Sequence, residues 1–207
     1  MSRPRDHHAV DRVGLVRLAR IFSNIVSPPV MFAVLGLALA LHALSPLPAL
    51  LWAAVYGFFV SLAPILFVLY LLRTGRVVEL HMSNTQERHL PYLVAVLGSL
   101  VVVALLLLFE GPELLVCLTL LNLLTLFSIG LINLRWLISF HAAAVMAMDT
   151  IVALVFGPLA AVALAPLVAL VVGVRLYLRR HTVGQIIAGL LIGAGSVLML
   201  RQLGCFV

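Results

Sequence analysis

HAAAVMAMDTIVALVFGPLAAVALAPLVALVVGVRLYLRRHTVGQ, residues 141–185, is the stretch on which the fold turns. From Ala142 to Val174 it is almost continuously apolar, and Asp149 is its only charge. One membrane-spanning helix takes about 20 residues, so this run is too long for one span and short for two. Gly157-Pro158 stands in its middle. Proline cannot continue a helix from the preceding turn, and the pair is a strong turn signal, so the spacing predicts a tight helical hairpin. The apolar run then ends abruptly in Arg175, Arg179, Arg180, His181 and Gln185.

The rest of the chain has the same character. It has 207 residues, of which 64% are hydrophobic and 10% charged. No soluble domain has enough interior for that much apolar surface, which points to an all-α, polytopic transmembrane bundle. Candidate spans are 25–44, 47–72, 91–109, 113–133, 141–156, 158–174 and 183–200, about six to seven in all. Residues 11–24 read as an amphipathic interfacial helix, with Val13, Leu15, Leu18 and Ile21 set against Arg12, Arg17 and Arg20. The N-terminus does not read as a signal peptide, because no small-residue cleavage site follows the first apolar run. No linker or low-complexity segment divides the chain. It reads as a single integral membrane domain, 1–207, with a basic N-terminal segment, 1–24.

All 13 basic residues are Arg, and the net charge is +6. They sit beside apolar spans, so anionic lipids and phosphate are the expected partners and nucleic acid is not. Under a seven-span count, twelve Arg fall on the side of the N-terminus and of loops 73–90, 134–140 and 175–182. Arg201 alone falls opposite. The positive-inside rule then places the N-terminus and these loops in the cytoplasm of a multi-pass cell-membrane protein. Cys117 and Cys205 form no ligand pattern and are expected to be inert. Arg179, Arg180 and the Arg135-Trp136 pair read as interfacial anchors. Asn122 and Asn133 read as interhelical hydrogen-bonders. His42 and His89 read as interfacial polar residues, and the adjacent His7 and His8 make no metal site.

The three polar loops share one face, so their chemistry can combine. His181 and Gln185 are four apart, which on a helix sets the amide oxygen within reach of the imidazole. His141 opens another apolar run after Ser139-Phe140. An Arg for phosphate, a His that attacks and a His that gives a proton suffice for phosphoryl transfer. Asp149, about 12 Å along the helix from His141, is the only acid inside a span. It is read either as a protonated acid bonded to a neighbouring helix or as a secondary element of the site.

From about residue 80 to 193 the chain resembles the type 2 phosphatidic acid phosphatase superfamily of membrane lipid phosphatases and undecaprenyl-diphosphate phosphatases. That family carries Lys, six residues, Arg-Pro; then Pro-Ser-Gly-His; then Ser-Arg, five residues, His, three residues, Asp. Here Arg175, His181 and Gln185 keep the third spacing, Ser139 and His141 keep the second, and His81 and Arg88 keep the first. The resemblance implies that His181 is the nucleophile, passing through a phosphohistidine, and that His141 protonates the leaving oxygen. It implies that Arg175, Arg88, Ser139 and His81 hold the phosphate, with neither metal nor cofactor. Prenyl diphosphates, phosphatidic acid and phosphatidylglycerophosphate all fit as membrane lipid substrates. Ile138 stands where Pro is usual and the first-motif Pro is displaced to Pro91, and three further departures bear on the chemistry. Gln185 replaces an Asp and supplies no charge to His181, a loss of about 1–3 kcal/mol in the strength of that hydrogen bond. Phe140 replaces a Gly that would let the backbone approach phosphate. His81 replaces the Lys. Two other readings stand beside this one: a non-catalytic relative that binds anionic lipid, and a small transporter using Asp149 and the Arg cluster. Nothing in the sequence sets the oligomeric state.

Overall fold

A computed structural model describes residues 4–6, 9–77 and 89–207. Among them the regular structure is helical, with no strand, and the chain is a polytopic helical membrane bundle. Helix α1 (Gly14–Ile25) is the amphipathic helix expected over 11–24. Leu15, Leu18 and Ile21 lie exposed on it, and Ala19 and Ser23 are buried. The chain then bends by 47° into α2 (Pro28–Ala43). Pro28 starts α2 because its missing N–H would have no partner in the first turn anyway, and its fixed φ is already helical.

The second span is one 28-residue run from Pro46 to Arg73. It comprises α3 (Pro46–Gly57), a widened π turn (Phe58–Leu62) and α4 (Ala63–Arg73). The π turn has a local cause. Pro64 cannot donate to the carbonyl four residues back, that of Val60, and its ring crowds it, so the ladder opens there. Helices α5 (His89–Leu108) and α6 (Glu113–Asn133) form a hairpin. They are tied in mid-membrane by Asn122 Nδ2 donating to Ser99 Oγ at 2.9 Å. Asn133 donates to Tyr92 Oη at 3.3 Å, so both Asn residues bridge helices.

The predicted hairpin is present. Helix α7 (Phe140–Val155) ends at Gly157, whose φ of +95° only glycine adopts freely, and α8 (Pro158–Tyr177) begins at Pro158. Helix α7 has 16 residues, about 24 Å, against a hydrocarbon core of about 30 Å. It can be short because protein, not lipid, surrounds it: Ala142, Ala143, Val145, Ala147 and Ile151 are all fully buried. Five helical runs have the length and composition of a span, and α1 with α2 makes a sixth. Among the described residues the expected six to seven spans are thus six such runs, with the shorter α7 enclosed among them. The last helix, α9 (Val183–Gln202), packs chiefly on α7. A Cβ at Gly189 would lie 2.5 Å from Ser139 O, and one at Gly193 would strike Ala143 O. This small-xxx-small spacing lets two backbones touch where larger side chains would separate them.

Cys117 and Cys205, expected to be inert, form a disulfide with Cα atoms 5.6 Å apart. The pair lies at the end of the bundle away from the His-bearing loops, where α6 begins and α9 ends. The crossing count already carried the signal: it puts both cysteines on one face.

Candidate active site

Three segments distant in sequence converge at the other end: the last turn of α1, the loop 134–139 with the start of α7, and the stretch from Arg175 to Gln185. Thr182 caps α9, its hydroxyl accepting from Gln185 N–H at 3.4 Å. Gln185 Oε1 reaches back to Thr182 N–H at 2.9 Å. This reciprocal capping box fixes the loop that carries His181. Ser139 caps α7, accepting from Ala142 N–H at 3.3 Å, and its own N–H donates to the Gln185 carbonyl at 3.2 Å. The two loops are thereby locked together.

His181 Nδ1 lies 3.3 Å from the Leu137 carbonyl, and Nε2 lies 3.3 Å from Arg175 Nη2. A carbonyl oxygen only accepts, so Nδ1 carries the hydrogen and the Nε2 lone pair faces the guanidinium. His141 has the opposite arrangement. Its Nε2 lies 3.1 Å from the Ser23 carbonyl, so Nε2 carries the hydrogen. Arg175, 5% exposed, donates from Nη1 to Ser23 Oγ at 2.9 Å. One histidine therefore presents a lone pair and the other a proton, with a buried guanidinium beside the first. Both line one cavity of about 270 Å³ with Arg175 and Ser23. Most of the remaining wall is apolar, including Val30, Ile65, Val68, Leu126 and Phe140.

The other expected site residues fall differently. Gln185 does not orient His181. Its amide oxygen is engaged by Thr182 N–H, and the Leu137 carbonyl holds Nδ1 in its place. The four-residue spacing allows either partner, and the Thr-x-x-Gln capping signature decides between them. Ser139 is fully buried as a helix cap and does not line the cavity. Phe140, in the place of a glycine, is part of the apolar wall. Asp149 lies outside the cavity lining, and its Oδ1 is buried with no hydrogen-bond partner among the described residues. His81 and Arg88 lie outside the described residues. Among those described, no three of His, Cys, Asp and Glu are grouped as metal ligands.

Two features were missed from the sequence. Ser23 and Asn24 both line the cavity, although they belong to the interfacial helix. Asp6 is fully buried and takes a bidentate pair from Arg180, Nε to Oδ1 at 2.9 Å and Nη2 to Oδ2 at 2.8 Å. Arg20 joins Asp6 at 3.4 Å. Arg5 N–H donates to the Leu178 carbonyl at 3.1 Å, and the Arg5 guanidinium lies 4.6 Å from the Tyr177 ring centre. Arg180 is thus not an interfacial anchor but the clasp by which the N-terminal segment holds the His181 loop. Comparison with protein-family models, with curated proteins and with solved structures finds no match for this chain.

Proposed function

We propose that this chain is an integral membrane phosphatase of the type 2 phosphatidic acid phosphatase kind, acting on a lipid phosphate or diphosphate. The observation that carries the reading is the pair of histidines in one cavity with complementary hydrogens, beside Arg175. His181 Nε2 attacks phosphorus. As that N–P bond forms, the bond from phosphorus to the lipid oxygen breaks, and His141, entering the step with hydrogens on both ring nitrogens, passes the one on Nε2 to the leaving oxygen and is left neutral. Water then attacks the phosphohistidine, giving up a proton to His141, and releases inorganic phosphate with His181 restored. Arg175 faces phosphate oxygens with a planar fork suited to bidentate contact. The apolar wall accommodates the first part of an acyl or isoprenoid tail. No step calls for a metal ion.

The site end faces the cytoplasm in this reading. The Arg count supports it, ten to one even when Arg88 and Arg175 are set aside as site residues. The Cys117–Cys205 bond supports it independently, since disulfides persist in oxidising compartments and this one is at the opposite end. One observation favours the second reading, a non-catalytic binder of anionic lipid: the Gln185 amide oxygen is taken by Thr182 N–H rather than by His181.

Phosphate release from a panel of lipid phosphates in detergent, wild type beside His181→Ala, separates the two. Release by the wild type that falls at least a thousandfold in the variant supports the enzyme. Lipid binding with no release in either protein overturns it. A reporter fused after Val207 that is active only outside the cytoplasm supports the orientation, and cytoplasmic activity overturns it.

A further inference from the structure

We infer that Ser23, on the interfacial helix and outside every motif of the sequence, is a phosphate-binding residue of this site. The inference rests on the phosphatase reading only for the nature of the ligand. It follows from an account of hydrogens around one side chain. Ser23 is 2% exposed, yet it lines the cavity shared by His141, Arg175 and His181. Its Oγ accepts from Arg175 Nη1 at 2.9 Å. His141 Nε2 lies 3.5 Å from that Oγ but 3.1 Å from the Ser23 carbonyl, which can only accept. The Nε2 hydrogen therefore goes to the carbonyl, and Nε2 has no lone pair left for the hydroxyl. The hydroxyl hydrogen is left directed at the cavity, between the guanidinium and the imidazole N–H.

A phosphate oxygen placed there would accept from the Ser23 hydroxyl, with the Arg175 guanidinium beside it. Such bonds to a charged acceptor are short and about twice as strong as neutral ones. Ser139, the hydroxyl to which the sequence pointed, is committed to Ala142 N–H as a helix cap. The neighbouring Asn24 lines the same cavity and buries a carboxamide oxygen that has no partner among the described residues. The last turn of α1 thus brings a hydroxyl hydrogen to the site. This also ties phosphate binding to the helix whose apolar face is exposed at Leu15, Leu18 and Ile21.

The test uses the purified full-length chain, with orthovanadate as the phosphate probe. Its affinity is measured by calorimetry for wild type, Ser23→Ala, Ser23→Thr and Ser23→Cys, alongside thermal unfolding. Ala and Cys should weaken vanadate binding about ten- to a hundredfold, the loss expected for one hydrogen bond to a charged group, and Thr should restore most of it. Cys keeps an atom at the γ position but replaces the hydroxyl by a weak donor, so it tests the hydroxyl even where Ala leaves a gap. Unfolding temperatures that fall while vanadate affinity holds would give Ser23 a purely structural role and overturn the inference. Wild type that binds vanadate but hydrolyses no lipid phosphate would sink the phosphatase reading, and the variants' affinities would still decide for or against Ser23. Wild type that does not bind vanadate would overturn both.

Discussion

At one end of the bundle Cys117, in the second turn of α6, is joined to Cys205, just past α9, by a covalent bond. At the other, Asp6, Ser23, Leu137, Arg175 and His181 are brought together by hydrogen bonds alone. The covalent end is tightly packed: a Cβ at Gly111 would lie 3.0 Å from the Trp52 ring. The hydrogen-bonded end surrounds a cavity and collects the buried charge of the described residues, in Asp6, Arg175 and Arg180. Buried charges are stable only when paired, and removing one partner costs far more than the pair contributes. The contrast is therefore between an end that fixes the bundle and an end whose geometry depends on each polar partner. It can be broken at either side.

The largest effect should come from Arg175→Lys. Lysine keeps the charge but cannot bond Ser23 Oγ and face His181 at once with a planar fork. Phosphate release measured as kcat/KM should fall about a hundred- to a thousandfold, as when one preorganised donor to a developing oxyanion is lost. A fall of less than about fivefold would show that the cavity at this end is not where phosphate reacts.

Next comes Asp6→Asn, far from any reacting atom. It leaves Arg180 buried against a neutral group, which costs about 3–5 kcal/mol when one side of a buried pair is removed. Because Arg180 adjoins His181, the same change should lower kcat/KM about tenfold by loosening the loop. Thermal unfolding and phosphate release, measured together, check both. Normal activity at lowered stability would detach the N-terminal clasp from the site.

How much of this was open to a reader of the sequence depended on distance along the chain. The helices and the α7–α8 hairpin were legible because apolar length and Gly157-Pro158 are local signals. Arg175, His141 and His181 were legible through spacing and residue type, and all three reach the cavity. Ser23 was not. Its partners lie 118 and 152 residues away, and no periodicity links a serine on an interfacial helix to them. Asp6 was hidden for the same reason, 174 residues from Arg180. The enclosure of α7 was invisible because apolar residues facing lipid and apolar residues facing protein read alike. Gln185 and the two cysteines are different, since Thr182-x-x-Gln185 is a capping signature and the crossing count puts Cys117 and Cys205 on one face.

Cys117→Ser probes the covalent end. Loss of a disulfide closing a loop of this length should cost about 2–4 kcal/mol, seen as a lower unfolding temperature. Phosphate release at room temperature should stay within about twofold of wild type, because the site end keeps its own contacts; a tenfold loss of activity would mean the two ends are coupled through α6 and α9.

The smallest effect should be that of Gln185→Asp, and its direction matters more than its size. If Gln185 oriented His181, a carboxylate in its place would stabilise the imidazolium character that develops during attack, and turnover would rise. The geometry predicts otherwise. Gln185 Oε1 is 2.9 Å from Thr182 N–H, and His181 Nδ1 is held by the Leu137 carbonyl. Asp is one methylene shorter, so it should lose the bond back to Thr182 N–H, about 1 kcal/mol, while gaining some charge complementarity at the start of α9. Turnover should hold or fall by up to about threefold, with a slight drop in unfolding temperature. Gln185→Glu, which can close the same capping box, should match wild type in both. A clear rise in turnover for Asp but not for Glu would show that the shorter carboxylate leaves the cap and reaches the imidazole. It would make residue 185 a determinant of rate.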